Sequence, residues 1–377
     1  MNNFDKNTIH KETTYTFSGS YNIEDVCFLL KEISGLISES DTLYREKAIQ
    51  SGIHYSEMLP IEYKPSDEYI NMFHRSLEDS ATKLAYATAV VANKILLNRG
   101  KNIVLVSLAR AGTPVGILIK RYLKEKISLE LPHYSISIIR GKGIDENAVK
   151  YIIKNHKNQE IQFIDGWTGK GMITRVLNES CSQFYKKTGI MLNNDLAVLA
   201  DPGHCVKTYG TREDFLIPSA CLNSTVSGLV SRTVHRSDLI GENDFHGVKF
   251  YKELMSEDLS NYFIDKITYC FSGIDQSKVA KTVKNEPLDV EPSWIGMKDV
   301  EEVGKSFSID DINHIKPGIG ETIRVLLRRV PWKVLVKDIN DSSLCNVLQL
   351  AREKNVEVEQ YDLNSYKCIG LIKHMGR

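Results

Sequence analysis

Between residues 103 and 205, apolar runs and polar, glycine-bearing turns alternate four times. Residues 103–108 form a short apolar run, the pattern of a strand buried on both faces. Residues 134–139 alternate with period two; residues 160–164 are mostly apolar and lead into Asp165. Residues 195–200 repeat the theme before Asp201-Pro202-Gly203-His204-Cys205. Segments with helical spacing lie between them, at 115–123, 148–155 and 172–185. This order predicts an α/β fold with a doubly wound parallel sheet and flanking helices. Such sheets bind ligands at the carboxyl ends of their strands, so the four turns are expected to meet at one cleft.

Upstream, residues 13–21 alternate like a strand, and 22–36 carry helical spacing with Asn22 and Asp25 placed to serve the helix start. Ser66 is the expected N-cap of a long helix reaching residue 97, with Phe73, Leu77, Leu84 and Val91 on its apolar face and Gly100 closing it. Downstream, 221–234 is rich in hydroxyls and small residues and reads as a helix or a tightly packed loop. Residues 248–258 and 261–269 read as helical. Residues 286–311 hold eight acids and two lysines, with Pro287 and Pro292, and read as a linker or solvated helical connector. The tail then changes character: a strand at 332–337, a helix at 344–354, a strand at 356–361 and an apolar run at 368–372. The expected organisation is a sheet domain with an N-terminal helical extension over 1–285, an acidic linker over 286–311 and a small α/β domain over 312–377.

Composition changes this picture little. Lys+Arg and Asp+Glu both number 48, so net charge points to no polyanion. From 316 to 377, however, eleven Lys/Arg face seven Asp/Glu, so the tail is basic behind an acidic linker. No signal core and no membrane-length apolar run is present, which makes the cytoplasm the expected location. The seven cysteines are scattered without a CxxC pair, which argues against a disulfide framework or structural zinc.

Candidate chemistry sits in the turns. Gly166-Trp167-Thr168-Gly169-Lys170-Gly171 joins a strand to a helix, as a phosphate cradle does, with Asp165 placed to hold sugar hydroxyls. A plain strand-to-helix turn that needs glycine reads equally well. Arg110-Ala111-Gly112-Thr113 follows a buried strand and offers a guanidinium to a second phosphate. Arg140 and Lys142 lie in a glycine-flanked loop ending at Asp145. Asp201 and His204 border the same edge.

The segments IQFIDGWTGKGMIT and SLARAGTPVG resemble the phosphoribosyl-diphosphate-binding motif and the diphosphate loop of type I phosphoribosyltransferases. Gly166 stands where most members carry a second acid. With HYSISIIRGKGID and CLNSTVSGLVSRTV, they resemble a bacterial family found with tellurite-resistance and stress-response genes. That family is described as a phosphoribosyltransferase domain with a C-terminal Pelota-like RNA-binding domain, and it also bears the label cysteine protease StiP. The resemblance implies a type I phosphoribosyltransferase-like sheet and a transferase using phosphoribosyl diphosphate, an unidentified acceptor base and Mg²⁺. Asp165 would hold the ribose and the metal, Arg110 the diphosphate, and the 166–171 loop the 5′-phosphate. Arg140 and Lys142 would close over the site, and Asp201 and His204 would border the acceptor. In the tail, Gly318, Gly320, Glu321, Thr322 and Arg324 resemble the RNA-contacting turn of the Pelota class, with Gly320 where asparagine is usual.

Two alternatives stand beside the transferase. One is a cysteine protease with Cys221 or Cys205 as nucleophile and His204, His235 or His246 as base. The other is a non-catalytic protein that binds nucleotide or RNA.

Overall fold

The structure, a computed structural model, describes residues 17–286 and 290–373. Its main sheet runs in the order β1 (Cys27–Phe28), β3 (His133–Ile139), β2 (Ile103–Ala109), β4 (Glu160–Trp167), β5 (Leu196–Ala200) and β6 (Thr208–Thr211). These neighbours are all parallel. The coarse expectation of a parallel central sheet with flanking helices therefore matches the molecule. A two-residue strand, Gly143–Ile144, adds antiparallel to β3.

Why these segments are strands is visible in their two-sided burial. Ile103 and Leu105 of β2 enter one core, and Val104, Val106 and Leu108 enter the other. The first core is covered by α1 (Asp67–Arg99) and α2 (Gly112–Ile127); the second by α3 (Glu146–Asn155) and α4 (Met172–Thr188). Strand order reverses between β2 and β4, so the loops after these strands flank the switch point where such sheets open a crevice. Gly112 permits the closeness there: a Cβ on it would lie 2.4 Å from the Ile164 carbonyl oxygen.

Other expectations need correction. Residues 22–36 do not form a helix. Phe28 and Leu30 face one core and Leu29 the other, a strand-like alternation, and Lys31–Glu32 pairs with Gly247–Val248. Three adjacent apolar residues had imitated helical spacing. The strand expected over 13–21 lies partly outside the described residues, and 18–21 is a turn. Residues 221–234 are irregular with a 3-10 turn at Ser224–Val226, and the expected helix over 248–258 is a 3-10 stretch, Lys252–Glu257. Helix α5 (Ser260–Tyr269) follows the pattern, whereas α6 (Gln276–Asn285) was not legible beforehand.

In the acidic stretch, α7 (Ile295–Ser306) is not merely solvated. Met297, Val300 and Val303 pack on a second sheet. Burying three such side chains is worth roughly 1.5–3 kcal/mol each, which outweighs the exposed acids of its outer face. That sheet has the order β7 (Ile315–Pro317), β10 (Cys368–Ile372), β8 (Pro331–Val336), β9 (Glu357–Gln360). Its other face carries α8 (Ile319–Arg328) and α9 (Cys345–Glu353), whose apolar residues merge with the first core of the main sheet. No helix among the described residues is long and apolar enough to cross a membrane.

Candidate functional site

The loops after β2, β4, β5 and β6 meet the start of the second sheet at the carboxyl edge. A cleft of about 230 Å³ lies there, lined by Ala111, Asp165, the 167–174 turn, Lys316 and Glu321. Asp165 sits on its floor, 9% exposed, and one carboxylate oxygen accepts the Gly166 N–H at 2.8 Å. Burial pushes its carboxyl up to about 7, and the Gly166 bond offsets that only in part. No second acid stands beside it in sequence, although Glu321 lines the same cleft. Among the described residues no three His, Cys, Asp or Glu side chains group as a metal would need. Asp165 is the residue that would hold the expected Mg²⁺, an ion that needs only one or two protein carboxylates and keeps water in its remaining positions.

Several cradle residues are engaged elsewhere. The Thr168 hydroxyl donates to buried Asp201 rather than into the cleft. The Gly169 carbonyl accepts the Tyr366 hydroxyl at 2.9 Å and the Cys205 thiol at 3.6 Å. The Lys170 ammonium, 9% exposed, donates to the carbonyls of Ile312 and, at 3.2 Å, Ile315. Its burial, with Lys316 and Arg140 nearby, brings it down to about 8. Gly171, at φ +70, starts α4 and leaves no room for a side chain: a Cβ there would lie 2.3 Å from Trp294 and 2.8 Å from the Cys205 sulfur. Thr113 is buried and bonds Ser135 at 2.8 Å, beneath the site rather than in it. Gly166 lies against Ala111. Lys142 is tied to Glu57 at 2.9 Å and to the His235 carbonyl, and the Arg140 N–H donates to the Tyr55 hydroxyl. Both are thus held on the rim. Asp145 caps α3 through the Ala148 N–H.

Asp201 is a hub. It accepts from the Cys205 N–H at 2.8 Å, the Val206 N–H, Thr168 and Arg212. It shapes the turn that carries His204, at φ +54, and Cys205. The Trp294 N–H then bonds the His204 carbonyl at 3.0 Å, so the entry to α7 clamps this turn. Cys205 is fully buried, and burial, with Asp201 adding to it, pushes its thiol up to about 12. Cys221 is also fully buried, with its thiol pushed up to about 11 mainly by burial. Among the described residues neither thiol bonds a histidine: Cys205 turns to Gly169, and His246 bonds Ser137 at 2.8 Å.

The Pelota-like turn faces inward. The Ile319 N–H donates to Asp214 at 3.0 Å, and Gly320 packs on Ala220. Thr322 is buried and accepts the Cys368 thiol. Arg324 bonds Glu321 at 3.1 Å and the Ala220 carbonyl at 3.2 Å. Gly318, at φ +90, stands beside Asp214. These residues therefore line the seam between the sheets, with Glu321 and Arg324 partly exposed. Asp214, Trp294 and Tyr366, which build that seam, carry no sequence motif; only contacts across 60 or more residues reveal them.

Two family models match the chain. Residues 19–268 match "Tellurite-like stress resistance cysteine protease StiP", and residues 294–374 match "PELOTA RNA binding domain". A relative from Acinetobacter baylyi (strain ATCC 33305 / BD413 / ADP1), named "Cysteine protease StiP", is 34% identical over 96% of this chain and 95% of its own length. These findings overturn the transferase reading: family and relative are both named for a cysteine protease, not for a phosphoribosyltransferase or any glycosyltransferase, and phosphoribosyl diphosphate loses its place as substrate. The glycine turn that suggested it is occupied by structural contacts, and its missing second acid is a real departure. With two thirds of its length matched by one model and a similar protein spanning nearly all of it, this chain belongs to the StiP family.

Proposed function

We propose that this chain is a cysteine peptidase, with Cys205 as nucleophile, whose C-terminal unit binds RNA. Family membership is the observation that carries the peptidase reading. The position of Cys205 supports its choice over Cys221. It lies at the carboxyl edge beside the start of α4, next in sequence to His204, with Arg175 and Arg212 near enough to offset part of the effect of burial. Cys221 is packed within the apolar core.

The arrangement described is a closed one. Trp294 and Tyr366 cover the turn, the thiol keeps its proton, and no base reaches it. Attack on a peptide carbonyl requires the seam to open, water and substrate to enter, and a histidine to take the proton; His204 stands nearest in sequence. Incubation with a random-sequence peptide library tests the reading. Cleavage by the chain or its Trp294→Ala form, lost in Cys205→Ser and kept in Cys221→Ser, is the expected result. No cleavage by either form, or loss confined to Cys221→Ser, defeats the assignment.

The RNA reading rests on the match over 294–374 and on the basic tail. RNA affinity that survives deletion of residues 312–377 would exclude it. For the sheet we propose the type I phosphoribosyltransferase-like arrangement, supported by the parallel order and the loops at its switch point. One fold hosts many chemistries, so this concerns ancestry of shape and not the reaction.

A further inference from the structure

We infer that a phosphate-bearing anion binds where Arg110, Arg232, Arg324 and Arg328 converge on the irregular segment 220–232. This site is independent of the peptidase reading. Three of the four guanidiniums are anchored to that segment through neutral acceptors. Arg110 donates to the Val230 carbonyl at 2.9 Å. Arg324 donates to the Ala220 carbonyl at 3.2 Å. Arg328 donates to the Cys221 carbonyl at 2.6 Å and to the Asn223 side chain at 2.5 Å. Arg232 belongs to the segment itself and donates to the carbonyls of Tyr55 and Met58 at 2.7 and 3.1 Å.

Arg99, Arg121, Arg212 and Arg236 each meet a carboxylate. In the convergent group Arg324 alone has one, Glu321 of its own helix. The other acid facing the group is Glu62, and one of its oxygens already accepts the Ser224 N–H and hydroxyl at 3.0 and 2.9 Å. Among the described residues, these four half-buried guanidiniums, with Arg45 close to Arg232, outnumber Glu62 and Glu321 and leave an excess of positive charge.

Such an excess is costly without an anion. The neighbours register it. Burial, with Arg45 and Arg110 close by, brings Arg232 down to about 10; burial, with Arg324 and Arg110 close by, brings Arg328 down to about 10. The Nε–H of Arg232 is enclosed without a partner. Aromatic rings support three of the group: Tyr55 behind Arg232 at 5.4 Å, Trp167 behind Arg324 at 5.6 Å and Tyr69 behind Arg328 at 5.9 Å. Rings fix the plane of a guanidinium without satisfying its N–H donors. What remains is a set of oriented forks from three parts of the chain, and several forks at once suit the oxygens of a phosphate.

A small polyphosphate and an RNA backbone both offer this chemistry, and two probes separate these sources. The full chain is titrated by calorimetry with inorganic tripolyphosphate and with a ten-nucleotide single-stranded uridine RNA, at fixed ionic strength. At least one probe is expected to bind, with affinity reduced tenfold or more by Arg110→Gln/Arg232→Gln and unchanged by Arg236→Gln. Tighter tripolyphosphate binding identifies the small anion; tighter RNA binding that tripolyphosphate competes away identifies the backbone. Should the double variant fail to fold, phenylglyoxal modification of the unaltered chain decides instead, with Arg232 and Arg328 protected by the bound probe. Absence of binding by both probes, or arginines modified equally with and without them, overturns the inference. RNA binding indifferent to the double substitution also overturns it, while leaving the C-terminal RNA reading intact.

Discussion

Replacing Asp165 by Asn should stabilise the protein, and by an amount that depends on pH. Burial raises this carboxyl from an ordinary 3.8 to about 7. Between those values the folded chain holds a proton that the unfolded chain has released, so the contribution of this group to stability falls as pH rises. A shift of that size corresponds to roughly 4 kcal/mol above pH 7, at 1.36 kcal/mol per pH unit. At pH 4.5 the same arithmetic leaves only about 1 kcal/mol. Asn removes the charge, keeps the volume and keeps an oxygen for the Gly166 N–H. Urea denaturation at pH 8 and pH 4.5 measures both differences. The Asn form should be more stable by up to about 4 kcal/mol at the higher pH and by about 1 kcal/mol at the lower. A difference that is flat in pH, or a less stable Asn form at pH 8, would refute the reasoning, because it would place water or a cation at the carboxylate.

Three further outcomes can be checked directly. Iodoacetamide should reach exposed Cys345 in the native chain and leave Cys205 unmodified, and Trp294→Ala should speed alkylation of Cys205 at least tenfold by peptide mapping; equal rates would mean that Trp294 is no lid. Asp214→Asn replaces a buried acceptor that holds the N–H groups of Ile319 at 3.0 Å and Lys367 at 2.9 Å, and should cost about 1–3 kcal/mol in a denaturant melt; a loss under about 0.5 kcal/mol would show the seam does not depend on it. Gly112→Ala drives a methyl to 2.4 Å from the Ile164 carbonyl oxygen, and should cost about 1–3 kcal/mol or prevent folding; an unchanged melting temperature would contradict that close approach.

Much of the large sheet was legible because each of its long strands is a local signal. Apolar runs such as 103–108 and the turns after them need no knowledge of distant residues. Gly100 and the long helix before it are local in the same way: α1 ends with Gly100 at φ +72. What failed was set by distance. Residues 27–33 are extended because Leu29 bonds Ser135 and Lys31 bonds His246, more than 100 and 200 positions away. The glycine turn after β4 suggested a phosphate cradle because its own sequence has that form. Its hydroxyl and carbonyl are claimed by Asp201 and Tyr366, and no local pattern announces either. Likewise nothing local in the sequence foretells that Arg324 bonds the Ala220 carbonyl, 104 residues away.

The first N–H of α8 finds its acceptor in Asp214, on a loop that leaves the other sheet, since Gly318 offers no side chain to do the work. The small sheet thus borrows the beginning of its helix. Cut away from the large sheet, that unit would lose the carboxylate on which its first turn rests, and the turn would fray through Gly320, Glu321 and Arg324. An excised tail would then report weaker and less ordered recognition than the whole chain possesses. The division of labour between the two halves can be measured only while they are joined.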